Sequence, residues 1–195
     1  MRAYKDFIIS PIGSRYNNSK KVGDKDLILN TEIFNHQFVN RRARVFGTPL
    51  LFKSPININD EVIVHHNVFR RWYDVKGRER NSRSYWKGDK YLITEDQIFL
   101  YKNKDWKAMP GFSFIKPIKQ SDKFSLENEQ ALIGIVKYSD GTFNKGELIG
   151  FSPRMECEDF INGERLYRVK NKFTTIKYEY QGNEEEYNPS WTQGG

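Results

Sequence analysis

Few residues of this chain are of types that do chemistry, and their spacing decides what they can do. The histidines are His36, His65 and His66, and the single cysteine is Cys157. Adjacent residues of a strand point to opposite faces, so His65 and His66 are not expected to converge on one metal. Cys157 is distant in sequence and lies among Glu156, Glu158 and Asp159, a negative setting that disfavours a thiolate nucleophile. No zinc spacing, glycine-rich phosphate loop or serine-nucleophile signature occurs, and Gly141 and Gly146 fall in a plain turn. Carboxylate pairs such as Glu95-Asp96 read as solvated turns. The expectation is a protein without catalytic residues, metal or cofactor.

Two other groups of residues are suited to binding. Phe69-Arg70-Arg71-Trp72-Tyr73 and Arg78-Glu79-Arg80-Asn81-Ser82-Arg83-Ser84-Tyr85-Trp86 interleave arginines with aromatics. Arg70, Arg71, Arg78, Arg80 and Arg83 could meet an acidic partner, and with stacking aromatics a nucleic acid. The same pattern fits a hairpin with aromatics turned inward and arginines in water. The second group is Leu27-Ile28-Leu29, an apolar tripeptide inside a polar, turn-rich stretch that begins Ser14-Arg15-Tyr16-Asn17-Asn18. It is either a core strand or a docking element for a groove on a partner.

The elements that must position these residues read as strands. Phe7-Ile8-Ile9, Glu61-Val62-Ile63-Val64, Tyr91-Leu92-Ile93 and Gln97-Ile98-Phe99-Leu100-Tyr101 are short, rich in β-branched and aromatic residues, and bounded by turn formers. Phe112–Ile115, Ile133–Val136, Glu147–Phe151, Leu166–Val169 and Thr174–Tyr178 continue the pattern. No stretch sustains a 3.6-residue apolar period beyond about two turns, which predicts an all-β chain of sandwich or barrel type. The 195 residues suffice for one large or two small domains, and 15% aromatics can fill their cores. Net charge is +7, and the basic excess lies in residues 1–105, with 20 basic and 12 acidic side chains. The absence of a long apolar run and the lone cysteine predict a soluble, cytoplasmic protein with no membrane partner.

An internal repeat organises the chain. Ile9-Ser10-Pro11-Ile12 returns as Ile115-Lys116-Pro117-Ile118, and Ala43-Arg44-Val45 as Gly134-Ile135-Val136. Asn59–Val64 returns as Lys145–Gly150, and Gly88–Leu92 as Gly163–Tyr167, the offset falling from 106 to 91, 86 and 75. The expected division is therefore a unit over 1–105, a shorter unit over 110–180 and a flexible tail over 181–195. In the first unit a long connection over about 13–40 and a second from His65 to Lys87 are where function is expected. Edge strands are expected near Met1–Ile9 and Ile98–Lys102 and need covering.

In this ordered set the chain resembles the GroES-like co-chaperonins. Asp26-Leu27-Ile28-Leu29-Asn30-Thr31 resembles their mobile-loop segment, and Arg42-Ala43-Arg44-Val45-Phe46 the strand after it. Ile58-Asn59-Asp60-Glu61-Val62-Ile63-Val64 resembles their Val-Gly-Asp strand, with Asn59 where the family usually has glycine. Tyr91–Leu100 resembles their last two strands. The resemblance spans Tyr4–Lys102, and Gly111–Glu179 keeps only the strands. The shortened roof region and long insert are similar to viral co-chaperonins. The resemblance implies two tandem GroES-like β-barrels in a homo-oligomeric ring. That ring would cap an ATP-driven, GroEL-like chaperonin ring through Leu27, Ile28 and Leu29 and so assist protein folding. The alternatives are a viral structural or assembly component that reuses the barrel, or a nucleic-acid-binding β-barrel that uses segment 69–86.

Overall fold

The computed structural model describes residues 3–16, 19–28, 35, 38–120, 128–179 and 184–187. They form an all-β chain of antiparallel sheets with no α-helix among them; single 3₁₀ turns occupy His66–Val68, Glu95–Gln97 and Asn171–Phe173. The chain divides into two compact units, Met1–Trp106 and Lys107–Gly195.

The first unit is built on β1 (Phe7–Pro11), β4 (Arg42–Gly47), β5 (Glu61–Val64), β9 (Lys90–Ile93) and β10 (Ile98–Lys102). Two hairpins interrupt that series: β2 (Ser19–Val22) with β3 (Lys25–Ile28), and β6 (Arg71–Tyr73) with β7 (Glu79–Asn81). Adding β8 (Tyr85–Lys87) and β11 (Trp106–Ala108), the main sheet runs β11-β10-β5-β4-β1-β9-β8. β4 shows how sequence sets the faces: Arg42 and Arg44 point to water while Ala43 and Val45 are buried, the alternation of a half-covered strand. β1 and β5 bury the whole of their unbroken Phe-Ile-Ile and Val-Ile-Val runs.

The second unit comprises β12 (Phe112–Lys119), β13 (Glu129–Ser139), β14 (Leu148–Phe151), β15 (Glu156–Ile161), β16 (Glu164–Lys170) and β17 (Thr174–Tyr178). Its sheet runs β15-β16-β12-β13-β14-β17. Reversed, this is the order β10-β5-β4-β1-β9-β8 with β17 for β10, β14 for β5, β13 for β4, β12 for β1, β16 for β9 and β15 for β8. The registers agree as well. Ile9 pairs with Val45 as Ile115 pairs with Val136, each just after a bulge. The Asn59 amide donates to the Val45 carbonyl, and the Gly146 amide to the Val136 carbonyl, both at 2.8 Å. Both donors have positive φ, 73° and 90°, so asparagine does in one unit what glycine does in the other. The core repeats position by position: Ile115, Val136, Ile149, Phe151 and Val169 cluster in the second unit, and Ile9, Val45, Val62, Val64 and Ile93 are equally buried in the first.

Register corrects the repeat in its last two segments. Val62 corresponds to Ile149 and Tyr91 to Tyr167, offsets of 87 and 76, one more in each case than the sequence alignment gives. Two further expectations change. β1 lies inside its sheet between β4 and β9, and β10 lies between β5 and β11, so neither is a bare edge. Within the segment expected to be a flexible tail, Glu184–Tyr187 lie along the end of β12. The Lys119 amide donates to the Glu185 carbonyl and the Tyr187 amide to the Pro117 carbonyl, each at 2.8 Å. The pull is electrostatic: Lys116, 5% exposed, has Glu186 at 2.7 Å and Glu164 at 3.2 Å. A buried ammonium needs such partners.

Candidate functional site

The two long connections of the first unit share a base. At the first, Ile12 donates its amide to the Arg42 carbonyl at 3.0 Å. The buried Asn40 side chain donates to the carbonyls of Ile12 and Ser14, both at 2.8 Å. Tyr16 bridges to Val39. These contacts clamp both ends of the 13–40 connection to the sheet. The second connection is fastened to the same place. Arg15 donates through Nε and Nη2 to the Phe69 carbonyl at 3.2 and 3.0 Å, and through Nη1 to Asn81 Oδ1 at 2.7 Å. The Arg71 amide donates to the Tyr16 hydroxyl at 2.8 Å, and the Arg71 guanidinium lies 4.8 Å from the centre of the Tyr16 ring. Arg15 and Tyr16 thus make one joint that carries both hairpins.

On this joint the first hairpin displays Leu27. β2 and β3 pair from Ser19↔Ile28 to Val22↔Lys25, and the turn between them places Gly23 at φ 62°. Such a φ at the first central position of a two-residue turn is the place glycine fills without strain. Leu27 is 54% exposed, so it is not a core residue. Ile28 ends β3, and Leu29 lies outside the described residues.

The second hairpin is an arm with a fixed tip. Asp74 Oδ1 accepts from the amides of Lys76 and Arg78, both at 2.9 Å, and Oδ2 accepts from Arg80 Nε at 3.0 Å. The Arg78 amide is the largest of the influences that hold the Asp74 carboxyl below its usual range. Arg71 pairs with Glu79 at 3.0 Å, and the Trp72 indole donates to the Asn81 carbonyl at 3.1 Å. The segment does form a hairpin, and Phe69 is fully buried, but the other aromatics do not turn inward: Trp72 and Tyr73 on the arm and Tyr85 and Trp86 on β8 are exposed, and Val75 at the tip is fully so. β6 and β7 pair only with each other, so no third strand flanks Trp72 and Tyr73. Arg70 sits at the root, Arg71 and Arg80 on the paired strands, Arg78 beyond the tip and Arg83 in the following turn. They are spread along the arm from its root to the turn that follows it.

The residues considered for chemistry lie elsewhere. His65 precedes a 3₁₀ turn instead of continuing β5, and its ring lies 4.2 Å from that of His66. The strand rule therefore does not apply to this pair, whose rings are neighbours. Among the described residues no group of three or more His, Cys, Asp or Glu side chains could hold a metal ion, and Cys157 is exposed. No described helix is long and apolar enough to cross a membrane.

Sequence reasoning missed Arg15, Tyr16, Asn40 and Asp74. The tip was legible in Asp74-Val75-Lys76-Gly77, with aspartate and glycine at the first and fourth turn positions. The joint has no local signal, because Arg15 and Asn81 are joined only by the fold. No protein-family model, curated protein or solved structure matches the chain.

Proposed function

We propose that the protein is a co-chaperonin: a binding protein that caps a chaperonin ring through its β2–β3 hairpin and assists folding without chemistry of its own. The observation that carries the reading is Leu27, an apolar side chain held out on a hairpin from a connection whose two ends are clamped by Asn40. Such a residue gains about 1.5–3 kcal/mol when a groove desolvates it fully. That is weak for one hairpin. Several copies in a homo-oligomeric ring reinforce one another through effective concentration. Weak single contacts also permit release when the ring changes state. The repeated strand order fits two tandem units of one fold, which this reading takes to be GroES-like, the second keeping the strands with a shorter first connection.

The test is co-sedimentation with a GroEL-like ring, with and without nucleotide. The wild-type chain is expected to pellet with the nucleotide-bound ring. Replacing Leu27, Ile28 and Leu29 together by serine is expected to abolish pelleting and, if the segment docks and is not core, to leave the melting temperature within about 2 °C, as for a substitution at the exposed Leu27. Unfolding of the variant would place these residues in a core and overturn the docking role. Light scattering of the free protein reads the oligomeric state, and a monomer at high concentration counts against the ring.

A further inference from the structure

We infer that the β6–β7 arm is a second, rigid contact for the partner that the β2–β3 hairpin engages, and that it fits an apolar socket rimmed by carboxylates. This rests on the co-chaperonin reading for the identity of the partner. Three observations lead to it.

The first is placement. Arg15 and Tyr16 hold the root of the arm directly. β2 begins at Ser19, three residues beyond Tyr16, so its first Cα lies within about 11 Å of that of Tyr16 whatever path the chain takes. A surface that receives one hairpin therefore has the root of the other beside it.

The second is preorganisation. Asp74 fixes the tip through two amides and Arg80, Ser82 Oγ donates to the Val68 carbonyl at 2.5 Å, and Trp72 is tied across the strands to Asn81. An arm already ordered loses little conformational entropy when it docks. Holding Val75 fully exposed on an ordered tip brings no folding gain, and Trp72, though tied to Asn81, leaves nearly half its surface in water on the flank. Exposed apolar groups on a fixed support are the form of a contact surface.

The third is charge. Residues 70–87 carry seven Arg and Lys against Asp74 and Glu79. Both carboxylates are engaged within the arm, by Arg80 and Arg71 respectively. Of the excess, exposed Lys76 and Arg78 sit at the apolar tip and exposed Arg83 and Lys87 follow the root, which selects a partner with acidic groups beside an apolar centre. A nucleic acid fits less well. Trp72 and Tyr73 are consecutive on a strand and face opposite ways, so successive bases find no common stacking platform, and two carboxylates flank the pair.

The test measures binding of the full chain to a nucleotide-bound GroEL-like ring at about 50 and about 200 mM salt, where screening differs. Three variants are compared: W72S/V75S, V75S alone and R78E/R83E. W72S/V75S is expected to bind about tenfold more weakly, the effect of losing central apolar contacts. V75S, which touches no fold contact, is expected to lose about threefold. R78E/R83E is expected to bind more weakly at low salt and to lose the salt dependence of the wild type. Wild-type binding with equal affinity in all three variants would overturn the inference and leave the co-chaperonin reading standing. No wild-type binding at either salt would overturn that reading and this inference with it. A single-stranded oligothymidylate that binds more tightly than the ring, and whose binding W72S/V75S abolishes, would overturn it in favour of nucleic acid.

Discussion

Tyr91 and Tyr167 occupy the same place in two copies of one sheet; each ring meets an aromatic neighbour edge-on and has an arginine over it, but their hydroxyls and further neighbours differ. Tyr91 packs edge-on against Phe69, with centroids 4.8 Å apart, and against Tyr85 at 5.6 Å. Tyr167 donates to Glu129 Oε1 at 2.7 Å and accepts from Arg165, which also pairs with Glu129 and, at 3.1 Å, with Glu158. Burial pushes the pKa of both hydroxyls above the usual tyrosine value and so disfavours their ionisation, and in Tyr167 the neighbouring Glu129 carboxylate adds to the effect. The contrast extends along the strands. Ser10 is matched by the buried Lys116, Leu92 by Arg168, which is paired with Asp159 at 3.1 Å, and Ala43 by Gly134. At these matched positions around Tyr91 and Tyr167, Gly134 aside, the first unit places small, aliphatic and aromatic side chains where the second places ion-paired ones. What both keep is five buried apolar positions, the bulges and the residues with positive φ. Those features hold the sheet order, and the flanking side chains are free to vary around them.

The comparison is broken most severely by removing one charge from the second unit. Arg165→Met leaves Glu129 and Glu158 facing each other across a partly buried site, and is expected to cost about 3 kcal/mol. Hydrogen exchange resolved by residue should show protection lost over β15 and β16 and kept over β1, β4 and β5. Equal loss in both units would mean that they unfold together.

A smaller effect is expected where the backbones approach. A Cβ on Gly134 would meet the Lys116 carbonyl oxygen and lie 2.6 Å from Ile115 Cγ2, whereas its counterpart Ala43 carries a Cβ in a buried site. Gly134→Ala should cost about 2 kcal/mol through overpacking. Ala43→Gly should cost about 1 kcal/mol, mainly through added freedom of the unfolded chain. Denaturant melts of the two variants measure the pair.

Smaller again are the positions with positive φ. Asn59→Ala and Gly146→Ala should each cost about 1 kcal/mol, and Asn59→Gly only a few tenths, because only the alanines strain the left-handed backbone. Unequal costs for the two alanines would show that the turns are not equivalent.

The smallest difference is expected in acid. Burial alone would raise Glu164, but hydrogen bonds from Lys137 and Lys116 outweigh it and hold the carboxyl below its usual value; Asp140 is likewise lowered by Thr142, Gly111 and Asn171. A carboxyl lowered in the folded state contributes stability that is fully present above its unfolded value, about 4.5 for Glu164, and is lost as pH falls through the folded one. Asp74 in the first unit is lowered as well, but it holds the tip of the arm. On acidification β12 and β16 should therefore lose exchange protection before β1 and β4.

The sheet was legible in the sequence to the extent that local chemistry specifies it. Phe7-Ile8-Ile9, Val62-Ile63-Val64 and Ile98–Tyr101 announce strands because β-branched and aromatic runs bounded by turns have no other stable use here. The repeat was legible as well, and its first two segments fall in register. The third slipped because Glu61 was matched with Glu147, while the structural equivalents are the positive-φ residues Asn59 and Gly146. The fourth slipped because the β15–β16 hairpin extends two residues further beyond Tyr167 than β8–β9 does beyond Tyr91, while its turn glycine, Gly163, is the second turn residue and Gly88 the first, so counting from the glycine lands one residue off. Of the candidate site, Leu27 and the arm's arginines were visible as types out of place. Their support was not, since Arg15 reaching Phe69 and Asn81 joins residues 54 and 66 positions apart.

The constant spacing of 76 between the last paired segments has a practical use in engineering. From Tyr91 to Lys102 and from Tyr167 to Tyr178 the two copies match residue for residue, with a 3₁₀ turn and a bulge at the same steps. Neither stretch contains an insertion relative to the other, so one can be transplanted for the other without altering the length of any connection. A chimera of this kind would carry ion-paired side chains into an aromatic setting on an unchanged backbone path. Its folding would be decided by side-chain compatibility alone.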